Sequence, residues 1–245
     1  MTVVVTGASM GIGRALALAW ARRGASLVLS ARGEEGLRSV AREVEELGGR
    51  AVVEPGDVTD EAHRARLVER AARETGGIDV LVNNAGRGFY APALRIDIDE
   101  MRRLFELNVL APLRLAQLAA PYLERAGGAV VMMSSVAGVV AAPRFGAYAA
   151  SKFALEALSM AMRSELASQG IRVVVVRPGP VDTPFRANAA RAPGEVGYDR
   201  PDPTAQSAED VARLTLRAVD QGRPVVETSA FVRVASATSR LAPWA

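Results

Sequence analysis

Short runs of consecutive apolar residues recur along the chain, separated by stretches with helical spacing. The runs are Val3-Val4-Val5, Ser26-Leu27-Val28-Leu29, Ala51-Val52-Val53, Val80-Leu81-Val82, residues 129–133 and residues 171–176. A strand that is apolar throughout, and not merely at alternate positions, is buried on both faces. Between the runs, helices are predicted over about 11–23, 60–75, 99–125 and 148–168, and Leu37, Val40, Ala41, Val44 and Leu47 mark one more helical face. Such alternation predicts a parallel sheet covered by helices on both sides. Right-handed crossovers make a doubly wound, mostly parallel α/β fold the main candidate. A (β/α)8 barrel is the rival at this length, and the glycine cluster after the first run argues against it. The 245 residues suit one domain. Beyond Pro178 the pattern loosens. Residues 183–207 read as a mobile loop with one short helix, and Ser207-Ala208-Glu209-Asp210 as the cap of a helix reaching about Gln221. Pro224-Val225-Val226-Glu227 reads as a last short strand, followed by a variable segment over about 228–245.

Composition removes several classes of chemistry. Without cysteine there is no disulfide scaffold, thiolate zinc site or cysteine nucleophile. The one histidine, His63, lies in Asp60-Glu61-Ala62-His63-Arg64-Ala65-Arg66 and reads as a solvated residue on a charged helix face. No metal site is expected. The net charge of +3 is small and spread out, which argues against a nucleic-acid groove. The start of the chain lacks a basic leader, and the apolar stretch near 129–142 is broken by Ser134, Ser135 and Gly138. A cytoplasmic protein without membrane contact is the expectation.

Thr6-Gly7-Ala8-Ser9-Met10-Gly11-Ile12-Gly13 joins the first strand to the first helix. Glycine lets backbone approach a ligand closely, and a helix N-terminus offers free N–H groups to an anion. That arrangement suits a pyrophosphate. A carboxylate at the tip of the second strand would bind the ribose hydroxyls of NAD, but the chain has Ser30-Ala31-Arg32 there. Arg32 suits a 2′-phosphate, so NADP(H) is favoured and NAD(H) remains possible. Asp57-Val58 follows the third strand, where a carboxylate can accept from an adenine amino group. Asn84-Ala85-Gly86 ends the Asn83 run after the fourth, where amide side chains can tie loops together beside a ribose.

Of the 30 Lys and Arg residues only Lys152 is lysine, and it lies four residues after Tyr148 on one helix face. Ser135 ends the fifth strand. A phenol with a pKa of about 10 is a poor proton donor or acceptor near neutrality. An adjacent ammonium favours the phenolate, and lowering the pKa by roughly 2–3 pH units takes about 3–4 kcal/mol. A serine hydroxyl can hold a substrate oxygen toward the phenol. The set suits proton transfer to a carbonyl oxygen while hydride reaches the carbon.

Together these motifs resemble the short-chain dehydrogenase/reductase family, in its compact branch. The resemblance covers about residues 2–184 and rests on the Thr6 to Gly13 turn, Asp57, Asn83-Asn84-Ala85-Gly86, Asn108, Ser135, Tyr148, Lys152 and Pro178-Gly179. It implies a Rossmann fold and an NAD(P)-dependent enzyme acting on a small carbonyl or alcohol. Tyr148 would be the general acid in reduction and the base in oxidation. Lys152 would bind the nicotinamide ribose and lower the Tyr148 pKa, and Ser135 would orient the carbonyl. Asn108 would hold a water linking Lys152 to solvent. Thr183, with Pro178, Gly179 and Val181 before it, would contact the nicotinamide. A homodimer or homotetramer is implied. Residues 183–207 become the substrate loop, with Phe185 able to close over ligand.

The C-terminal segment departs from the glycine-rich ending of many relatives, which puts their C-terminal strand pairing and usual tetramer in doubt. Its apolar residues are expected to cover the pocket or a partner subunit. Ala137, Val139, Val140, Phe145, Phe89, Tyr90, Pro180 and Phe185 are the expected pocket residues, so a hydrophobic substrate is expected. A dinucleotide-binding sensor without turnover is the alternative function.

Overall fold

Each run lies largely within a strand, and the sheet they form explains why their central positions are apolar. The structure, a computed structural model, describes residues 1–195 and 202–241. In chain order the elements are β1 (Thr2–Thr6), α1 (Gly11–Ala21), β2 (Ser26–Ala31), α2 (Glu34–Glu46), β3 (Arg50–Pro55), α3 (Glu61–Thr75), β4 (Val80–Asn83) and β5 (Phe89–Tyr90). Then come α4 (Ile98–Phe105), α5 (Ala111–Ala126), β6 (Ala129–Met133), α6 (Gly146–Leu166), β7 (Arg172–Arg177), β8 (Ala190–Arg191), α7 (Ala208–Asp220), β9 (Val225–Glu227) and α8 (Ala230–Leu241).

Seven strands form one parallel sheet in the order β3-β2-β1-β4-β6-β7-β9. Alternate residues of a strand point to opposite faces, and each face meets its own layer. Val3, Val5, Leu27, Leu29, Ala129 and Val131 pack with α1, α2 and α7. Val4, Val28, Val130 and Met132 pack with α3, α5 and α6. This is the doubly wound fold. Strand order reverses between β2-β1 and β4, and the crevice at the carboxyl ends of β1 and β4 is where such sheets take ligands.

Three local expectations change. The helix predicted over 99–125 is two helices, α4 and α5, joined by a π-helical turn at Glu106–Leu110. A π-turn is invisible to apolar periodicity and often marks a functional position. Second, among the described residues of 183–207 there is no helix; turns lead instead to β8, which pairs in parallel with β5 through Phe89↔Ala190 and Tyr90↔Arg191. Third, His63 is not solvated. It is 1% exposed, shares a 2.9 Å hydrogen bond between Nε2 and Ser30 Oγ, and lies 4.0 Å from Glu54. Its neighbours in sequence are charged, but His63, Leu67 and Ala71 repeat at helical spacing and all face the sheet.

The C-terminal segment forms α8 after β9. Val232 is fully buried, against Gly179, whereas Phe231 and Val234 remain exposed. The last four residues of the chain lie outside the described part. No helix among the described residues is long and apolar enough to cross a membrane.

Candidate active site

At the reversal of strand order, the turn after β1 is braced by the segment after β4. Asn84 Nδ2 donates to the Thr6 carbonyl at 2.9 Å and the Gly7 carbonyl at 3.2 Å. Thr6 Oγ1 accepts from the backbone N–H groups of Asn84 and Ala85 at 3.0 and 3.1 Å. Gly7 and Gly11 have φ of +64° and +54°, where side chains are strained. A Cβ on Gly13 would collide with the Gly7 carbonyl oxygen and lie 2.6 Å from Asn84 Nδ2. The turn therefore folds onto the start of α1, with Ile12 against the core and Met10 exposed at the helix N-cap. No acidic residue occupies the first turn of α1. That leaves the positive helix end open to an anion. Ser9 packs under α2 beside Gly36.

Arg32 follows the end of β2 and is exposed. Glu34, the nearest acid in sequence, is taken by Arg38. Asp57 follows β3; burial pushes its carboxyl up, but two hydrogen bonds from Thr59 and the charge of Arg32 leave it below its ordinary value. Val58 beside it is buried in the core. These residues form one rim with the glycine turn. The cradle fits a dinucleotide phosphate: backbone N–H groups without an opposing carboxylate, and no room for a Cβ at Gly13.

Tyr148 and Lys152 lie on the first turns of α6 and are both buried. Lys152 Nζ donates to the Met133 carbonyl at 2.8 Å and lies 5.7 Å from the centre of the Tyr148 ring. Ser135 lies near the Tyr148 phenol and favours its ionised form. Its hydroxyl also accepts from Ala137 N at 3.1 Å, which starts a short 3-10 turn. Asn108, in the π-turn, is fully buried. Its Oδ1 accepts from Arg87 N at 3.1 Å, and Nδ2 donates to the Arg87 carbonyl at 3.0 Å and to Ser151 Oγ at 3.1 Å. A Cβ on Gly86 would lie 3.1 Å from Asn108 Oδ1 and 3.6 Å from Lys152 Nζ, so the bare backbone of Gly86 lets the two approach.

Electrostatics in the protein alone differ from the expectation of a lowered phenol. Burial pushes Tyr148 above its usual range, against the opposing pull of Ser135. Burial also pulls Lys152 down to about 8, and Glu156 opposes that shift. The buried environment penalises charge on both groups.

Aromatic rings cover the phenol. Tyr90 and Phe145 stack at 4.7 Å, Phe145 lies 4.4 Å from Tyr148, and Phe185 of the loop lies 5.7 Å from Tyr148. Phe89, Tyr148 and Ala137 are buried in one apolar cluster, with Phe145 and Phe185 packed on it. Of the other expected pocket residues, Val139 and Pro180 are half-buried and Val140 is exposed. The loop also reaches the cofactor turn: a Cβ on Gly11 would lie 3.1 Å from Thr183 Cγ2. Pro178 accepts from Val136 N at 2.8 Å, Gly179 backs onto α8, and Val181 bridges to Gln206.

The family model described as short chain dehydrogenase matches residues 1–194. The chain belongs to the short-chain dehydrogenase family. It is 38% identical over 221 residues to a glycine betaine reductase of Emericella nidulans; the match takes in 89% of the chain but only 17% of that much longer protein. It is 34% identical to 3beta-hydroxysteroid dehydrogenase 1 of Eggerthella lenta, covering 94% of the chain and 91% of the relative. Its fold superposes, with a TM-score of 0.81 and 28% identity, on an alcohol dehydrogenase of Thermococcus sibiricus complexed with 5-hydroxy-NADP, over 92% and 93% of the two chains.

Within this short-chain dehydrogenase, sequence reasoning missed a buried charge cluster beside Lys152. Arg177, at the end of β7, donates to both carboxylate oxygens of Glu156 at 2.9 Å and to Glu227 at 3.2 Å. Glu156 follows Lys152 by four residues and Arg177 ends an apolar strand; both signals were legible, but not their pairing.

Proposed function

We propose that the chain is an NADP(H)-dependent oxidoreductase that interconverts a small, hydrophobic ketone or aldehyde with its alcohol. Gly7, Ser9, Met10, Gly11, Ile12 and Gly13 would hold the pyrophosphate, and Arg32 the 2′-phosphate. Asp57 and Val58 would face the adenine, Asn84, Ala85 and Gly86 the ribose, and Pro178, Gly179, Val181 and Thr183 the nicotinamide. The bound dinucleotide supplies or accepts the hydride. Arg32 is exposed and makes no salt bridge within 4.0 Å among the described residues, although its charge acts on Asp57; this supports NADP(H) over NAD(H).

The convergence of Ser135 and Lys152 on the Tyr148 phenol carries this reading. Tyr148 Oη holds a proton at neutral pH because burial disfavours the phenolate, so in reduction it can donate to the carbonyl oxygen. Ser135 Oγ orients that oxygen. The Lys152 ammonium, largely charged at pH 7, stabilises the phenolate left behind and binds ribose hydroxyls. Asn108 fixes the backbone at Arg87 and, through Ser151, the first turns of α6. Tyr90, Phe145 and Phe185 exclude water and favour an apolar substrate. We place the enzyme in the cytoplasm as one domain over 1–245, and as a homodimer or homotetramer. Exposed Phe153 and Met160, seven residues apart on α6, supply an apolar face for that assembly.

A panel of ketones and aldehydes with NADPH, run beside Tyr148→Phe, tests the mechanism. The variant is expected to bind NADPH normally and lose about 10²–10⁴-fold in turnover. Undiminished turnover would refute Tyr148 as the proton donor. NADPH binding without consumption by any carbonyl would favour the sensor reading.

A further inference from the structure

Glu156, Arg177 and Glu227 meet beneath the Ser135 turn, and Lys152 lies one helical turn before Glu156 on α6. Lys152, Glu156 and Arg177 are 5%, 6% and 5% exposed, and Glu227 closes the group from the sheet edge. Arg177 and Glu227 are register partners on β7 and β9, while Glu156 reaches Arg177 from α6. One guanidinium therefore faces two carboxylates, and this trio carries an excess negative charge. A buried excess charge is costly unless a counter-charge lies nearby. Lys152 is on the same face of α6 as Glu156, one turn earlier. Among the described residues its only hydrogen bond is to a neutral carbonyl, that of Met133.

Glu156 also underlies the turn that carries Ser135. A Cβ on Gly138 would lie 3.0 Å from Glu156 Cγ and 2.6 Å from Ser134 Oγ, a buried hydroxyl with no hydrogen-bond partner among the described residues. The carboxylate is thus wedged between the lysine helix and the serine turn. Arg177 locks it there with two hydrogen bonds.

We infer that Glu156, held by Arg177, is a positioning residue that keeps the Lys152 ammonium charged within the buried site. The role in turnover rests on the function proposed above; the charge balance itself does not. Glu156 opposes the burial that drives Lys152 toward its neutral form. The other groups facing this region are Tyr148 on α6, Tyr90 of β5 acting on Tyr148, Arg177 of β7 and Glu227 of β9. On the side of α4, Arg87 and Glu100 pair with each other beyond the uncharged Asn108.

The chain has a single lysine, so ¹³Cε-lysine labelling gives one side-chain resonance whose titration reports Lys152 directly. Glu156→Gln is expected to lower its midpoint by about one pH unit, and Arg177→Gln to raise it, because the carboxylate then faces Lys152 alone. Glu156→Asp should restore most of the wild-type midpoint. In the carbonyl assay, Glu156→Gln should move the alkaline limb of kcat/KM to lower pH in step with the resonance. A merely structural ion pair would change thermal stability in both variants without shifting the lysine in opposite directions. Should Glu156→Gln fail to fold, Arg177→Gln carries the test. A midpoint that stays within about 0.2 pH unit of wild type in folded Glu156→Gln or in folded Arg177→Gln would overturn the inference. A shifted resonance in a protein that reduces no carbonyl would leave the inference standing and remove the enzymatic reading.

Discussion

Gly13→Ala probes the cradle on which the cofactor assignment depends. An alanine Cβ would fall 2.6 Å from Asn84 Nδ2 and 2.9 Å from the Gly7 carbonyl carbon. Comfortable contacts between such atoms start near about 3.5 Å, so roughly 1 Å of movement is required. Neither neighbour can yield alone: Asn84 Nδ2 is bonded to both the Thr6 and Gly7 carbonyls. Overpacking of this kind costs about 1–3 kcal/mol, and a broken amide hydrogen bond adds about 1 kcal/mol. For a chain of this size that corresponds to a fall in Tm of roughly 5–15 °C. The same displacement moves the N–H groups at the start of α1 away from the phosphates, and NADPH affinity should drop by at least about tenfold. Thermal unfolding and NADPH fluorescence titration measure the two effects. Gly33→Ala is the control, since its Cβ would meet nothing within 4 Å and its φ is −86°. A Gly13→Ala protein with wild-type Tm and NADPH affinity would refute the cradle.

Three other outcomes are expected. Arg32→Asp should weaken NADPH by about 10–100-fold, the worth of a charge-assisted hydrogen bond, and leave NADH nearly unchanged; equal losses would show that Arg32 does not read the phosphate. Asn108→Ala removes the bonds to Arg87 N, Arg87 O and Ser151, which keeps only its bond to the Tyr148 carbonyl, so urea unfolding should reveal a loss of about 2–4 kcal/mol, and a loss below about 0.5 kcal/mol would contradict the clamp. His63 is held neutral by burial, with its pKa below the ordinary value, so the unfolded chain binds its proton first as pH falls. Its contribution is therefore complete above about pH 6.5 and lost below it toward the folded pKa; His63→Gln should flatten the slope of Tm between about pH 6.5 and 5, and an unchanged slope would assign it to other groups.

The chain order of strands and helices was legible because burial on both faces leaves a one-dimensional trace: Val3 to Val5 and Val173 to Val176 can be nothing but central strands. The glycine turn and the Tyr148–Lys152 pair were legible for a similar reason, since their spacing is local and their chemistry narrow. Tertiary structure decided what depends on partners remote in sequence. His63 is drawn from a charged stretch onto Ser30. Asn108 reaches Arg87 and Ser151 because a π-turn rotates it inward. Arg177 finds Glu156 and Glu227 only once α6, β7 and β9 are assembled. The proton affinities of Tyr148 and Lys152 belong to this second group as well. Sequence supplies the ammonium and the phenol, but the depth at which the fold buries them sets what each charge costs.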